Sequence, residues 1–267
     1  MEGDMDLRGA RTLVTGATGG LGAAIARACA AGGAEVVVTG RREGPLDALA
    51  EEIGAEPVVA DLANRDDFAH LVDAVRDLDV LVSNAALPGG GRMETFSTEE
   101  IDRVLDVNLR VPVLLSRHFT PTMVTRGRGH VVFVSSLAAA FPTPGLAIYN
   151  ATKSALVSYG LSLRGELAPA GIGVSIVYPG PIRDAGMWAD TGLVPPVGIR
   201  TRSPDDVGAG VVRAIERNRA EVMVAPLALR VGAVFGRSAP AAVVRLAPRF
   251  GAYELTDAMA EALRHKR

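Results

Sequence analysis

Short apolar runs rich in Val and Ile alternate along this chain with longer segments of helical period. The predicted strands are Arg11–Thr15, Glu35–Thr39, Pro57–Ala60, Val80–Ser83, His130–Ser135, Gly173–Tyr178 and Glu221–Val224. Between them fall predicted helices at Leu21–Ala31, Pro45–Ile53, Arg65–Arg76, Thr98–Thr125, Ala151–Ala168 and Pro204–Asn218. Strands apolar on both faces, nearly every one followed by a helix, build a parallel sheet covered on its two sides. The expected fold class is therefore α/β, a doubly wound parallel sheet of about seven strands in three α/β/α layers.

With 267 residues, 48% hydrophobic and 22% charged, the chain reads as one globular domain over 1–267. A core of that size needs no disulfide staples, and the single Cys29 could not supply them. The balance of 28 basic against 30 acidic residues argues against nucleic acid and leaves a small molecule as the expected partner. The N-terminus, Met-Glu-Gly-Asp-Met-Asp, is acidic where a leader would be basic, so a cytoplasmic location is expected. No apolar stretch reaches spanning length, because Arg230, Arg237, Arg245 and Arg249 interrupt the apolar C-terminal region. His70, His118, His130 and His265 show no ligand spacing, so no catalytic metal is expected.

Thr15-Gly16-Ala17-Thr18-Gly19-Gly20-Leu21-Gly22 follows the first strand and opens the first helix. In that context glycines have separate uses: Gly16 for the tight exit from the strand, Gly20 for backbone approach to a pyrophosphate, Gly22 for close packing of helix on sheet. Free N–H groups at the helix start then face phosphate charge. A carboxylate at the end of the second strand would accept the ribose hydroxyls of NAD, but here the chain reads Thr39-Gly40-Arg41-Arg42. Arg41 and Arg42 suit the 2′-phosphate of NADP, so NADP(H) is expected over NAD(H); a solvated basic pair is the alternative, and Glu43 stands close by.

Tyr149 and Lys153 stand at i and i+4, neighbours on one helical face. A nearby cation favours the phenolate and brings a Tyr toward working range as a base. With these residues in place, the stretch from Leu7 to Val224 resembles the short-chain dehydrogenase/reductase family in its single-domain branch with a Rossmann-type sheet. The resemblance rests on the glycine turn, on Asp61 after the third strand, on Asn84-Ala85-Ala86 after the fourth, on Asn108, Ser136, Tyr149 and Lys153 in that order, and on Pro179-Gly180 after the sixth.

The resemblance implies a secondary alcohol and ketone interconverted by hydride transfer. Ser136 would hold the substrate oxygen, Tyr149 would exchange its proton, Lys153 would lower the Tyr149 pKa and bind the nicotinamide ribose, and Asn108 would place a relay water. It also assigns cofactor contacts to Gly16, Thr18, Gly19, Gly20, Leu21, Gly22, Arg41, Arg42, Asp61, Leu62, Asn84, Ala85, Tyr149, Lys153, Pro179, Gly180 and Ile182. A homodimer or homotetramer is implied as well. Two departures stand out: Ser83 and Ala86 replace Asn and Gly, and Pro181–Met187 lacks the Thr that touches the carboxamide. The rival functions are a non-catalytic NADP(H)-binding sensor or scaffold and, against the chain's length, sugar-nucleotide epimerase chemistry.

Residues 184–201, with Met187, Trp188, Leu193, Val194, Pro195, Pro196 and Ile199, lack a clear period and read as a substrate lid for a hydrophobic ligand. Arg183, Arg200 and Arg202 leave an anionic group on that ligand open. The extension 226–267 is apolar and basic, with no acid between Pro226 and Ala252. Pocket cover or subunit packing is preferred there over contact with an anionic membrane, because Gly232, Gly236, Pro240 and Pro248 are read as breaking any helix into short pieces. Glu254–Arg267 is expected to be a final exposed helix.

Overall fold

The computed structural model describes residues 5–193, 200–246 and 252–263. Strands β1 (Arg11–Thr15), β2 (Glu35–Gly40), β3 (Glu56–Val59), β4 (Val80–Ser83), β5 (Gly129–Val134), β6 (Ile172–Pro179) and β7 (Glu221–Val224) form one sheet in the order β3-β2-β1-β4-β5-β6-β7. Every neighbouring pair is parallel. The helices are α1 (Gly20–Ala31), α2 (Glu43–Ile53), α3 (Arg65–Ala74), α4 (Thr98–Leu105), α5 (Val111–Arg126), α6 (Ala147–Leu167), α7 (Gly186–Asp190), α8 (Pro204–Glu216), α9 (Leu227–Ser238), α10 (Pro240–Leu246) and α11 (Ala252–Leu263).

Strand pleating sends successive side chains to opposite faces, and both faces are buried. Val14, Val36, Val38, Val80, Val82, Val132 and Val134 pack with Ile25 of α1, Leu46 and Leu49 of α2 and Val207 and Val211 of α8. The intervening Leu13, Val37, Leu81, Val131 and Phe133 meet Leu71 of α3, Leu115 and Phe119 of α5 and Leu156 of α6. That period-2 division puts the sheet in the middle of a three-layer fold. Cys29 is buried in the first of these cores, where burial pushes its thiol up to about 12 and leaves it unreactive.

Four expectations are corrected. The segment Thr98–Thr125 is not one regular helix: a π-helical turn at Asp106–Arg110 separates α4 from α5. Helix α6 begins at Ala147 rather than Ala151, so Tyr149 lies within its first turn. Gly232 and Gly236 do not break the tail, because both lie inside α9, where a Cβ on Gly236 would stand 2.6 Å from the Ala140 carbonyl oxygen. Gly236 serves close approach, and the next helix starts at Pro240, while Pro248 lies outside the described residues. Finally, α11 is exposed on one face only: Thr256, Ala260 and Leu263 are buried against the rest of the fold, while Ala258 and Glu261 face outward.

His130 on β5 is sealed inside, its Nε2 paired with the Ser175 hydroxyl at 2.8 Å. Burial, with the Arg164 charge adding to it, drops its pKa from 6.5 to about 3. The unfolded chain therefore takes up a proton that the fold refuses, and stability is lost as pH falls from 6.5 toward 3, by up to about 1.4 kcal/mol per pH unit. Urea unfolding of His130→Gln over the same range is expected to show a correspondingly shallower slope than the parent protein.

Candidate active site

Strands β1 and β4 are neighbours, yet β2 lies on the far side of one and β5 on the far side of the other. The connections leaving their carboxyl ends diverge, which opens a crevice at this switch point. A cavity of about 880 Å³ occupies it, running from the Gly16–Gly22 turn past Ser136 and Tyr149 to Met259 and Leu263 of α11.

The glycine turn is fitted to its neighbours. Gly16 has φ +67°, and a Cβ there would fall 2.8 Å from the Ala85 Cα. A Cβ on Gly22 would stand 2.2 Å from the Gly16 oxygen, so only glycine lets α1 start this close to the turn. The Thr15 hydroxyl accepts from the backbone N–H groups of Asn84 and Ala85, both at 3.0 Å, and the Asn84 amide donates to the Thr15 carbonyl at 2.9 Å. No side chain caps α1 and no acid stands in its first turn, which leaves its amides for an anionic ligand. Ala185 of the segment after β6 lies against Gly20 and closes this end.

At the end of β2 the two arginines differ. The Arg42 guanidinium donates to the Thr18 carbonyl at 2.5 Å and so braces the turn, whereas Arg41 projects exposed at the cavity wall. Asp61 and Leu62 line the same wall; Asp61 pairs with Arg103 at 3.2 Å and accepts from the Ala63 N–H. Pro179, Gly180 and Ile182 form the opposite side, with Ala225 packed behind Gly180.

Ser136, Tyr149 and Lys153 converge on the middle of the cavity. Lys153 is 2% exposed, and its Nζ donates to the Val134 carbonyl at 2.9 Å while lying 5.8 Å from the centre of the Tyr149 ring. Burial pulls its pKa down to about 8. Burial also raises the Tyr149 pKa, with the Ser136 hydroxyl acting in the opposite sense. Ser136 follows β5 and accepts from the Ala138 N–H at 3.1 Å.

Asn108 sits behind this group rather than on the cavity surface. Held in the π-helical turn, its Oδ1 accepts from the Leu87 N–H at 2.7 Å, and its Nδ2 donates to the Leu87 carbonyl at 2.9 Å and to the Thr152 hydroxyl at 3.4 Å. The segment clamped in this way runs directly over α6, where a Cβ on Gly89 would stand 3.0 Å from the Tyr149 N. Sequence reasoning missed several of these supports. Thr15, Ser135 (whose hydroxyl donates to the Lys153 carbonyl at 3.0 Å) and Thr152 (which donates to the nearby Tyr149 carbonyl but accepts from Asn108) are small hydroxyl residues with partners distant in the chain.

The outer end of the cavity is apolar, lined by Phe141, Leu146, Met187, Trp188, Met259 and Leu263, with Leu229 and Val243 from the tail. Among the described residues Asp190 is the charged group at that end. Arg183, Arg200 and Arg202 are exposed outside this wall, which removes the basis for an anionic group on the ligand. The base of the 184–201 segment is clasped where Ile182 bridges Arg202 and the Arg183 N–H donates to the Arg202 carbonyl at 2.9 Å. Within it α7 carries Met187 and Trp188, while Val194, Pro195, Pro196 and Ile199 lie outside the described residues. The missing carboxamide-contacting Thr leaves Ala185 and Gly186 in the place where the chain crosses the glycine turn.

Replacing Asn108 by Leu would leave the buried N–H and C=O of Leu87 without their partner. A loss of about 1–3 kcal/mol in unfolding free energy is expected, measurable by urea denaturation.

Residues 10–193 match the family described as short chain dehydrogenase. The ketoacyl reductase HetN of Nostoc sp. is 31% identical over 273 aligned residues, covering 96% of this chain and 94% of its own. Among solved structures, a short-chain dehydrogenase from Sphingobium yanoikuyae in complex with NADPH is 28% identical with a TM-score of 0.75, covering 85% of this chain and 92% of the other. A 3-ketoacyl-(acyl-carrier-protein) reductase from Brucella melitensis complexed with NADH is 30% identical with a TM-score of 0.74, covering 82% and 98%. The matched stretch holds the glycine turn, the Asn108 clamp and the Ser136, Tyr149 and Lys153 group, and on that ground the chain belongs to the short-chain dehydrogenase family of oxidoreductases.

Proposed function

We propose that this protein is an NADP(H)-dependent oxidoreductase that interconverts a hydrophobic ketone and its secondary alcohol. The observation that carries the proposal is the convergence of Ser136, Tyr149 and Lys153 midway between the uncapped start of α1 and an apolar outer chamber. The glycine turn fits a dinucleotide: Gly22 lets the α1 amides start hard against the turn, Gly16, Gly19 and Gly20 line the cavity without side chains, and Arg41 stands exposed at its wall. When bound, the nicotinamide supplies or accepts the hydride.

The remaining steps belong to the chain. The Ser136 hydroxyl donates to the substrate oxygen and steadies the charge that builds there during reduction. Tyr149, kept protonated at neutral pH by burial, passes its proton to that oxygen as the alcohol forms, and in the reverse direction takes the proton back. Lys153, a cation below about pH 8, stabilises the phenolate left behind and is held in place by the Val134 carbonyl. Asn108 acts through position, locking the Leu87 backbone and Thr152 behind Tyr149.

Arg41 supports the choice of NADP(H). Its guanidinium can hold a 2′-phosphate bidentately, whereas Arg42 is already engaged with the turn. The substrate class follows from the lining of Phe141, Leu146, Trp188 and Met259, which offers apolar contact to a ligand with a single reacting oxygen.

Tyr149→Phe should bind NADPH with unchanged affinity and lose about 100-fold or more of the rate of NADPH oxidation with hydrophobic ketones. Wild-type activity in that variant would exclude the mechanism. NADPH binding with no turnover by the parent protein across a broad ketone panel would instead favour the sensor or scaffold reading. Fluorescence titration of Arg41→Ala is expected to show roughly 10–100-fold weaker NADPH binding with NADH affinity unaltered.

A further inference from the structure

We propose that the outer face of α9 docks the protein on an anionic lipid surface. Helix α9 is two-sided. Its inner side presents Leu229 to the cavity, buries Ala233 and brings Gly236 against the Ala140 carbonyl. Its outer side shows Leu227, Val231, Val234 and Phe235 at 71%, 62%, 59% and 55% exposure, in the i, i+4, i+7, i+8 spacing of one helical stripe. Val244 of α10, 43% exposed, lies apart from it, in a groove with Ala147 and Ala151 of α6.

Large apolar side chains gathered on one face call for a partner. Charge selects which one. From Pro226 to Ala252 the sequence carries four arginines and no acid. Arg237 is held inward by Glu221 at 3.0 Å, while Arg230 stays exposed beside the stripe and Arg245 is exposed on the next helix. A two-fold contact with a second copy would press two such cationic faces together, since an isologous interface pairs a patch with itself. Phosphate headgroups instead supply opposite charge over an apolar layer, which suits an amphipathic helix lying in the interface plane. Among the described residues no helix is long and apolar enough to cross a membrane, so the contact is peripheral.

Leu229 on the inner side of α9 and Val243 of α10 line the outer end of the cavity. Docking through α9 thus places the cavity roof near the bilayer, where apolar ligands concentrate. The docking itself does not depend on the proposed reaction, and its test needs no turnover.

The full chain would be floated with phosphatidylcholine vesicles, with and without phosphatidylglycerol. Flotation is expected only with the anionic vesicles and is expected to weaken as salt is raised. The double variant Val231→Glu, Phe235→Glu should float roughly tenfold less or lower still. Arg230→Gln with Arg245→Gln should lose flotation in the same direction, and an unchanged melting temperature in each would show an intact fold. No flotation with either vesicle, or undiminished flotation of the glutamate variant, would overturn the proposal. So would an oligomer that the glutamate substitutions split in light scattering, which assigns the face to a second copy. Binding to polyglutamate but not to vesicles would assign it to an acidic protein instead.

Discussion

The junction between the ends of β1 and β4 is the constraint on which the rest of this molecule depends. Gly16 turns out of β1 in a left-handed conformation that brings its Cα against Ala85, and the Thr15 hydroxyl holds two consecutive amides of the β4 exit. A side chain at Gly16 would force these strand exits apart, and without the Thr15 hydroxyl two amides at the crevice floor would lose their acceptor. Because the sheet order reverses at this pair, the junction also sets the direction in which the first helix and the β4 loop leave. The cavity is the space between them.

From that floor the candidate reacting groups are built upward by hydrogen bonds between elements distant in sequence. Lys153 is fastened to β5 through Val134, and Ser135 fastens α6 to the same strand through the Lys153 carbonyl. Asn108 then ties the β4 loop to α6 through Leu87 and Thr152. Burying an ammonium is costly, and its lowered pKa is the measure of that cost. The cost is tolerated because the surrounding bonds leave Lys153 one defined position beneath the cavity.

The tail illustrates how one helix can serve two surfaces. Gly236 allows α9 to lie directly on the Ala140 carbonyl, and that close approach carries Leu229 to the cavity roof. The exposed apolar side chains lie on the other side, where they form the stripe. Arg237 secures the arrangement by pairing with Glu221 and stacking over the Tyr178 ring at 4.8 Å.

The strand and helix order was legible in the sequence because short apolar runs and the 3.6-residue period are local, and the glycine turn because its spacing falls within eight consecutive residues, Thr15–Gly22, between a strand and a helix. The Tyr149 and Lys153 pair could be read for the same reason, since one helical turn brings them together. Tertiary structure alone decided what those residues rest on. Nothing in the local pattern shows that Asn108 interrupts a helix with a π turn to reach Leu87, or that Thr15 accepts two amides from β4. It likewise separated Arg41 from Arg42, moved Arg183, Arg200 and Arg202 outside the cavity wall and buried one face of α11 against Gly145. Periodicity reports which side of an element is apolar, whereas the partner of a polar group or a glycine is set by chain segments that only the completed sheet brings into contact.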